Sequence, residues 1–156
     1  QLHPELRHAI RNYFQQHSLG DPIAETLRCC ETISEKKSVS RLVSWLNDNS
    51  DTTIHTGMLL TSQSLIWVRR GDRSGTLLTA ASLKEISVET HTSMLTKDHG
   101  LEVSGYMEGS NKPMRGYIGM GQEIAAQEFC EEVKQAIIKA NPPLPKSRPK
   151  WFWEKK

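Results

Sequence analysis

Residues 56–68, Thr56-Gly57-Met58-Leu59-Leu60-Thr61-Ser62-Gln63-Ser64-Leu65-Ile66-Trp67-Val68, read as a strand, a tight polar turn and a second strand. Met58, Leu59 and Leu60 form the first apolar run. Thr61 to Ser64 break it with four polar residues, and Leu65, Ile66, Trp67 and Val68 resume it. Apolar, β-branched and aromatic residues suit strands, and a short polar break between two such runs is a hairpin loop. An antiparallel hairpin is therefore the seed from which the rest of the chain is read.

More strands are expected downstream. Arg69 to Gly75 reads as a charged turn. Thr76 to Thr79 and Leu83 to Thr90 read as two strands joined by Ala80, Ala81 and Ser82, and Thr92 to Gly100 as a loop. Leu101 to Met107 alternates as a strand, Glu108 to Pro113 turns, and Met114 to Met120 is the last strand. Upstream, Glu25 to Ile33 is expected to supply the first strand, since the hairpin needs a partner. Between them Ser38 to Asp48 carries Val39, Leu42, Val43 and Leu46 at the spacing of a short amphipathic helix.

Two longer helices bracket the strands. His3 to His17 places Leu6, Ile10, Tyr13 and Phe14 at helical spacing, with Pro4 in the first turn and Glu5 at the positive end of the dipole. Its apolar face either docks on the sheet or pairs with another chain. Gln122 to Ala140 has an apolar face read as Ile124, Ala125, Phe129, Val133, Ile137 and Ile138, bordered by Cys130. Asn141-Pro142-Pro143 stops it, because a residue before proline disfavours α geometry.

The chain has 156 residues. The expected organisation is an N-terminal helix and linker over 1–22, a main domain over 23–141 and a tail over 142–156. No apolar run is long enough for a transmembrane helix, and no signal peptide is visible. The three cysteines, Cys29, Cys30 and Cys130, are an odd count with no metal-ligand spacing. A reducing, cytoplasmic setting is expected, with peripheral membrane attachment as a variant. The net charge of +2 is unevenly placed. Residues 146–156 carry Lys146, Arg148, Lys150, Lys155 and Lys156 against Glu154, so the remainder is slightly acidic. That balance argues against binding duplex nucleic acid.

The order of a first strand, an insertion, a run of strands and one C-terminal helix resembles a pleckstrin-homology-like domain. The stretch His55 to Val68 resembles the hairpin of the bacterial pleckstrin-homology-like and GRAM-like families, and Leu83-Lys84-Glu85-Ile86 resembles the strand that follows. The resemblance spans about residues 25 to 140. It implies an α+β fold: a bent antiparallel β-barrel of about seven strands capped by a C-terminal α-helix, here with an extra N-terminal helix. It also implies a binding module without catalysis or cofactor, acting as a scaffold for a protein or peptide partner. Many members hold inositol-phosphate headgroups through basic residues near the first hairpin loop, where this chain offers Lys36, Lys37 and Arg41. The usual pair of basic residues spaced by one on the second strand is replaced by Ile54, His55 and Thr56.

Three groups of residues stand out as candidate sites. In the tail, Trp151, Phe152 and Trp153 with Arg148 and Lys150 combine large contact area and positive charge, which suits a protein partner or an anionic surface. The plain alternative is that the aromatics fold back on their own domain. The insertion places Trp45 near Lys36, Lys37 and Arg41, a pattern for a membrane interface. Its stripe equally suits packing onto the barrel or against a partner helix. Gly116, Gly119 and Gly121 precede a helix but match no phosphate-binding fingerprint, and strand bending or close packing accounts for them. The histidines His3, His8, His17, His55, His91 and His99 show no zinc spacing, and no nucleophile elbow is present, so no catalytic residue is assigned.

Overall fold

The computed structural model describes residues 2–17, 20–35, 51–92 and 99–142. Helix α1 spans Pro4–Gln16. Strands follow at β1 Arg28–Glu35, β2 Thr53–Leu60, β3 Ser64–Gly71, β4 Gly75–Ser82, β5 Ile86–Thr92, β6 His99–Gly105 and β7 Met114–Gly119, and α2 spans Ile124–Ala140. The strands form two antiparallel sheets, one ordered β1-β2-β3-β4 and the other β5-β6-β7. The two sheets do not close into a barrel. β1 and β7 are each an edge, joined where the Thr32 hydroxyl donates to the Gly119 carbonyl at 3.0 Å.

The hairpin of β2 and β3 sits at the centre of the larger sheet. Leu59 faces Ile66 and Leu60 faces Leu65 in the ladder. The turn is held by Thr61, whose amide donates to the Ser64 carbonyl at 2.9 Å and whose hydroxyl accepts from the Ser64 amide at 2.9 Å. Side chains alternate between faces. Met58, Leu60, Leu65 and Ala81 therefore point one way, into a core with Leu83, Leu101, Val103, Phe129 and Val133. Leu59, Ile66, Val68 and Ala80 point the other way, into a second cluster with Leu2, Leu6 and Ile10 of the N-terminal segment.

The docking of α1 settles the choice its apolar face left open. Leu6 is 1% exposed and Ile10 fully covered, each worth roughly 1.5–3 kcal/mol of burial. Gly57 allows the close approach: a Cβ there would stand 2.9 Å from Leu2 and 3.0 Å from Leu6. Polar contacts fix the start of the helix. The His3 ring accepts from the Glu5 amide, the His3 amide donates to Glu31 at 2.7 Å, and Arg70 pairs with Glu5.

Several boundaries differ from the sequence reading. β1 starts three residues later than expected, because 21–27 is occupied by turns in which Ile23 donates to Asp21 and Thr26 to the Pro22 carbonyl. Arg69 and Arg70 belong to β3, and the turn shrinks to Asp72, Arg73 and Ser74. Ala80, Ala81 and Ser82 are strand, paired with Ile66, Leu65 and Ser64, and the connection moves to Leu83–Glu85. The buried stripe of α2 is Ala126, Phe129, Cys130 and Val133, continued by Ala136, Ile137 and Ala140. Ile124 and Ile138 lie off it and are exposed. The expected helix at Ser38 to Asp48 lies outside the described residues.

The chain enters β2 through a clasp on the β3–β4 turn. Asp51 accepts from the Arg73 and Ser74 amides, each at 2.8 Å, and from the Ser74 hydroxyl at 2.5 Å. Asp72 returns the arrangement, accepting from the Thr52 amide at 2.9 Å and from its hydroxyl. The Ser74 hydroxyl and the two amides hold the Asp51 carboxyl at about 2, below the ordinary aspartate value of ~3.9.

Two outcomes follow from this packing. Because the Asp51 pKa is lower in the fold, its stabilisation is complete above about pH 4 and is lost as pH falls toward about 2. Denaturation of the parent and of Asp51→Asn across pH 2–7 should show the variant less stable at neutral pH, with the gap narrowing in acid; a pH-independent gap contradicts the clasp. Leu6→Ala should cost about 2–5 kcal/mol in denaturant unfolding, the range for a buried leucine. A loss near zero would mean that α1 does not contribute to the folded unit.

Candidate functional site

The core does not cover the whole inner face of the larger sheet. α2 packs along β1 and β5, over the end of the sheet that carries Cys30, Met58, Leu65 and Ala81. Continuing along the same face by the period of two, the residues reached are Thr32 and Ser34 on β1, Ile54 and Thr56 on β2, Trp67 and Arg69 on β3 and Leu77 on β4. These line an open groove of about 1040 Å³. Its opposite wall is His99, Tyr117 and Ile118 of the smaller sheet, and its end is formed by Met120 to Glu123 and the first turn of α2.

Two features make this surface unusual. The first is apolar exposure. Leu77, on the inner face, is 65% exposed; Ile33 at 58% and Tyr117 at 51% belong to the two edge strands that wall the groove, on their alternate faces. Ile124, 76% exposed, stands beside its end. A protein surface rarely gathers large apolar side chains without a contact to make. The second is that both walls are strand edges, since among the described residues β1 pairs only with β2 and β7 only with β6. Edges of this kind are where an added extended segment pairs.

Local structure sets the groove's side chains. The Tyr117 ring lies over Gly100, where a Cβ would collide with it, and its edge meets the His91 ring with centroids 5.9 Å apart. Trp67 is half-buried between core and groove. Arg69 lies 4.0 Å from Asp51 at the clasp. Glu31, Glu35 and Glu123 outnumber Arg69 in the groove's described lining, so that lining is acidic. Cys30 lies on its floor, and burial pushes its thiol up, as it does Cys130. A raised thiol stays protonated at neutral pH and is a weak nucleophile.

A second hollow, of about 350 Å³, follows the seam between α1 and the sheet and is lined by His3, Glu5, Leu6, His55, Arg70 and Asp72. The His3 and His55 ring centroids are 6.3 Å apart, and the Glu31 carboxylate lies 3.9 Å from His55. These are the contacts that seat α1. Among the described residues no grouping of His, Cys, Asp and Glu is placed to hold a metal ion. No helix among them is long and apolar enough to cross a membrane.

Of the candidates named from sequence, Gly119 and Gly121 lie at the end of the groove. Trp151, Phe152, Trp153, Arg148 and Lys150, together with Lys36, Lys37, Arg41 and Trp45, all lie outside the described residues. Gly116 and Gly119 are strand residues of β7, and Gly121 has φ +73 at the approach to α2. The residues that sequence reasoning missed are Ile33, Leu77 and Tyr117. A signal for one was present: adjacent Leu77 and Leu78 on a strand must face opposite ways. Leu78 packs beneath α1, which leaves Leu77 on the uncovered part of the inner face.

Comparison with protein-family models, with curated proteins and with solved structures finds no match. The geometry alone therefore carries the functional reading.

The hydroxyl bond between the two edges gives a direct check. Thr32→Val keeps the shape and removes the donor to Gly119. Unfolding should show a loss of about 0.5–1.5 kcal/mol, with amide shifts at Gly119 and Met120. Unchanged stability and shifts would show that the edges are not joined there.

Proposed function

We propose that this chain is a non-catalytic binding module that engages a protein or peptide partner in the groove between β1 and β7. The observation that carries this reading is a groove walled by two strand edges, with exposed Leu77 on its inner face and exposed Ile33 and Tyr117 on the edge strands themselves. An extended segment fits such a surface. Its backbone meets the unpaired edge groups, and an apolar side chain reaches toward Trp67 and Leu77.

The order of four strands, three strands and one helix over the core supports a pleckstrin-homology-like arrangement, with α1 as an addition on the outer face. In that arrangement the α2 helix covers one end of the space between the sheets, and the groove is the other end. The weak nucleophilicity of Cys30 favours binding over chemistry at this surface.

Selection of a random peptide library on the full chain tests the proposal. Enriched extended peptides should bind the parent and lose at least about tenfold in affinity on Leu77→Glu, which puts a charge on the groove's inner face, or on Ile33→Glu, which puts one on the edge strand that an added segment pairs with. Both side chains are exposed, so the variants should keep the parent's unfolding profile. Peptides indifferent to both substitutions would overturn the proposal. So would the absence of enriched peptides with retention of the chain by anionic vesicles at low salt, which would favour a membrane surface instead.

A further inference from the structure

One face of α2 packs against no other element among the described residues, and its composition is ordered. Ile124, Glu128, Glu131, Gln135 and Ile138 follow each other at spacings of four, three, four and three, so they form one stripe along the helix. All five are exposed. The stripe is apolar at both ends and acidic in the middle. It begins beside the groove, at Glu123 and Ala125, and ends beside Asn141, whose side chain donates to the Leu83 carbonyl at 2.9 Å.

The described chain stops at Pro142, at the far end of this stripe. The residues that follow, Pro143 to Lys156, are Pro-Leu-Pro-Lys-Ser-Arg-Pro-Lys-Trp-Phe-Trp-Glu-Lys-Lys. A proline-rich segment extends by about 3.1 Å per residue, whereas the helix rises about 1.5 Å per residue. Measured back from Pro142, Ile138 lies at about 6 Å, Glu131 at about 16 Å, Glu128 at about 21 Å and Ile124 at about 27 Å. A segment extended in that way from Pro142 would reach about 6 Å at residue 144, about 19 Å at residue 148, about 25 Å at residue 150 and about 28–34 Å at residues 151 to 153. On that extension the two scales would coincide, leucine with isoleucine, basic residues with the acidic ones, and the aromatics with Ile124 and the groove.

We propose that the chain's own C-terminal segment, residues 143–156, runs back along this stripe of α2 and delivers Trp151, Phe152 and Trp153 to the groove mouth. Opposite charge and matched length carry the assignment. This inference rests on the reading of the groove as a docking surface, and it names what occupies that surface when no partner is bound. A partner then has to displace the segment or present the same chemistry: an extended basic peptide with an aromatic anchor.

Zero-length carbodiimide coupling of the dilute full chain, followed by peptide mass mapping, tests it. Glu128 or Glu131 should join to Lys146 or Lys150 within one chain. The Glu131–Lys134 pair, whose charged atoms are 2.7 Å apart, supplies an internal control. Glu128→Lys with Glu131→Lys should reduce the remaining tail joins, including those to Glu123, at least about fivefold without changing the unfolding profile, since both side chains are exposed. A 1:1 mixture of light and heavy-isotope chains assigns each join to one molecule or two. Formation of the control with no tail join overturns the inference, and so do tail joins found equally between light and heavy chains. If the tail joins are absent while selected peptides still depend on Ile33 and Leu77, the inference fails and the groove reading stands. If tail joins form but no peptide depends on those residues, the groove reading fails.

Discussion

The structure depends on a hairpin that is buried on both faces. Met58, Leu59 and Leu60 are consecutive and all buried, as are Leu65 and Ile66. Side chains on a strand alternate, so a continuous apolar run satisfies itself only when both faces of the sheet are covered. The smaller sheet and α2 cover one face through Met58, Leu60 and Leu65. α1 covers the other through Leu59, Ile66 and Val68. The N-terminal helix is thus part of the folding unit, and Gly57 is the position that lets it sit close enough.

The cover on the inner face is incomplete, and the groove follows from that. α2 is amphipathic along a narrow stripe from Ala126 to Ala140, and it shields the half of the sheet near the hairpin turn. Toward the β3–β4 turn the inner face continues through Thr56 and Arg69 to Ile54 and Leu77 with nothing from α2 above it. The Asp51 and Asp72 clasp anchors that end of the sheet without filling it. The same device that makes the core stable at one end therefore leaves apolar side chains and two strand edges exposed at the other.

Much of the fold was legible because its signals are local. Pro4 and Glu5 mark the start of α1, polar Thr61 to Gln63 mark the hairpin turn, and Asn141 before Pro142 marks the end of α2. The misreadings came from tertiary context. Ala80 and Ala81 are weak strand formers, yet they pair with Ile66 and Leu65, where small side chains fit beneath α1 and within the core. Ile124 and Ile138 are as bulky as Ile137, which packs on the core, so size alone does not mark the buried face. The actual stripe is set by Ala126, Cys130 and Ala140, small residues that admit close packing against the sheet. The groove was legible only in part, since it is assembled from β1, β3, β4 and β7, residues far apart in sequence and adjacent only after the two sheets meet. The sheet edges also explain why the strands form two sheets: β1 and β7 approach through a hydroxyl bond rather than a ladder.

Native-state amide exchange resolved by residue tests the two-sided burial most directly. The account predicts that Leu59, Leu60, Leu65 and Ile66 exchange only through global unfolding, and that amides within the last two turns of α1 share most of that protection, because losing the helix uncovers the sheet's outer face. Rapid exchange throughout α1 with an unaltered, fully protected hairpin would contradict it, since the hairpin would then be stable with one apolar face open to water.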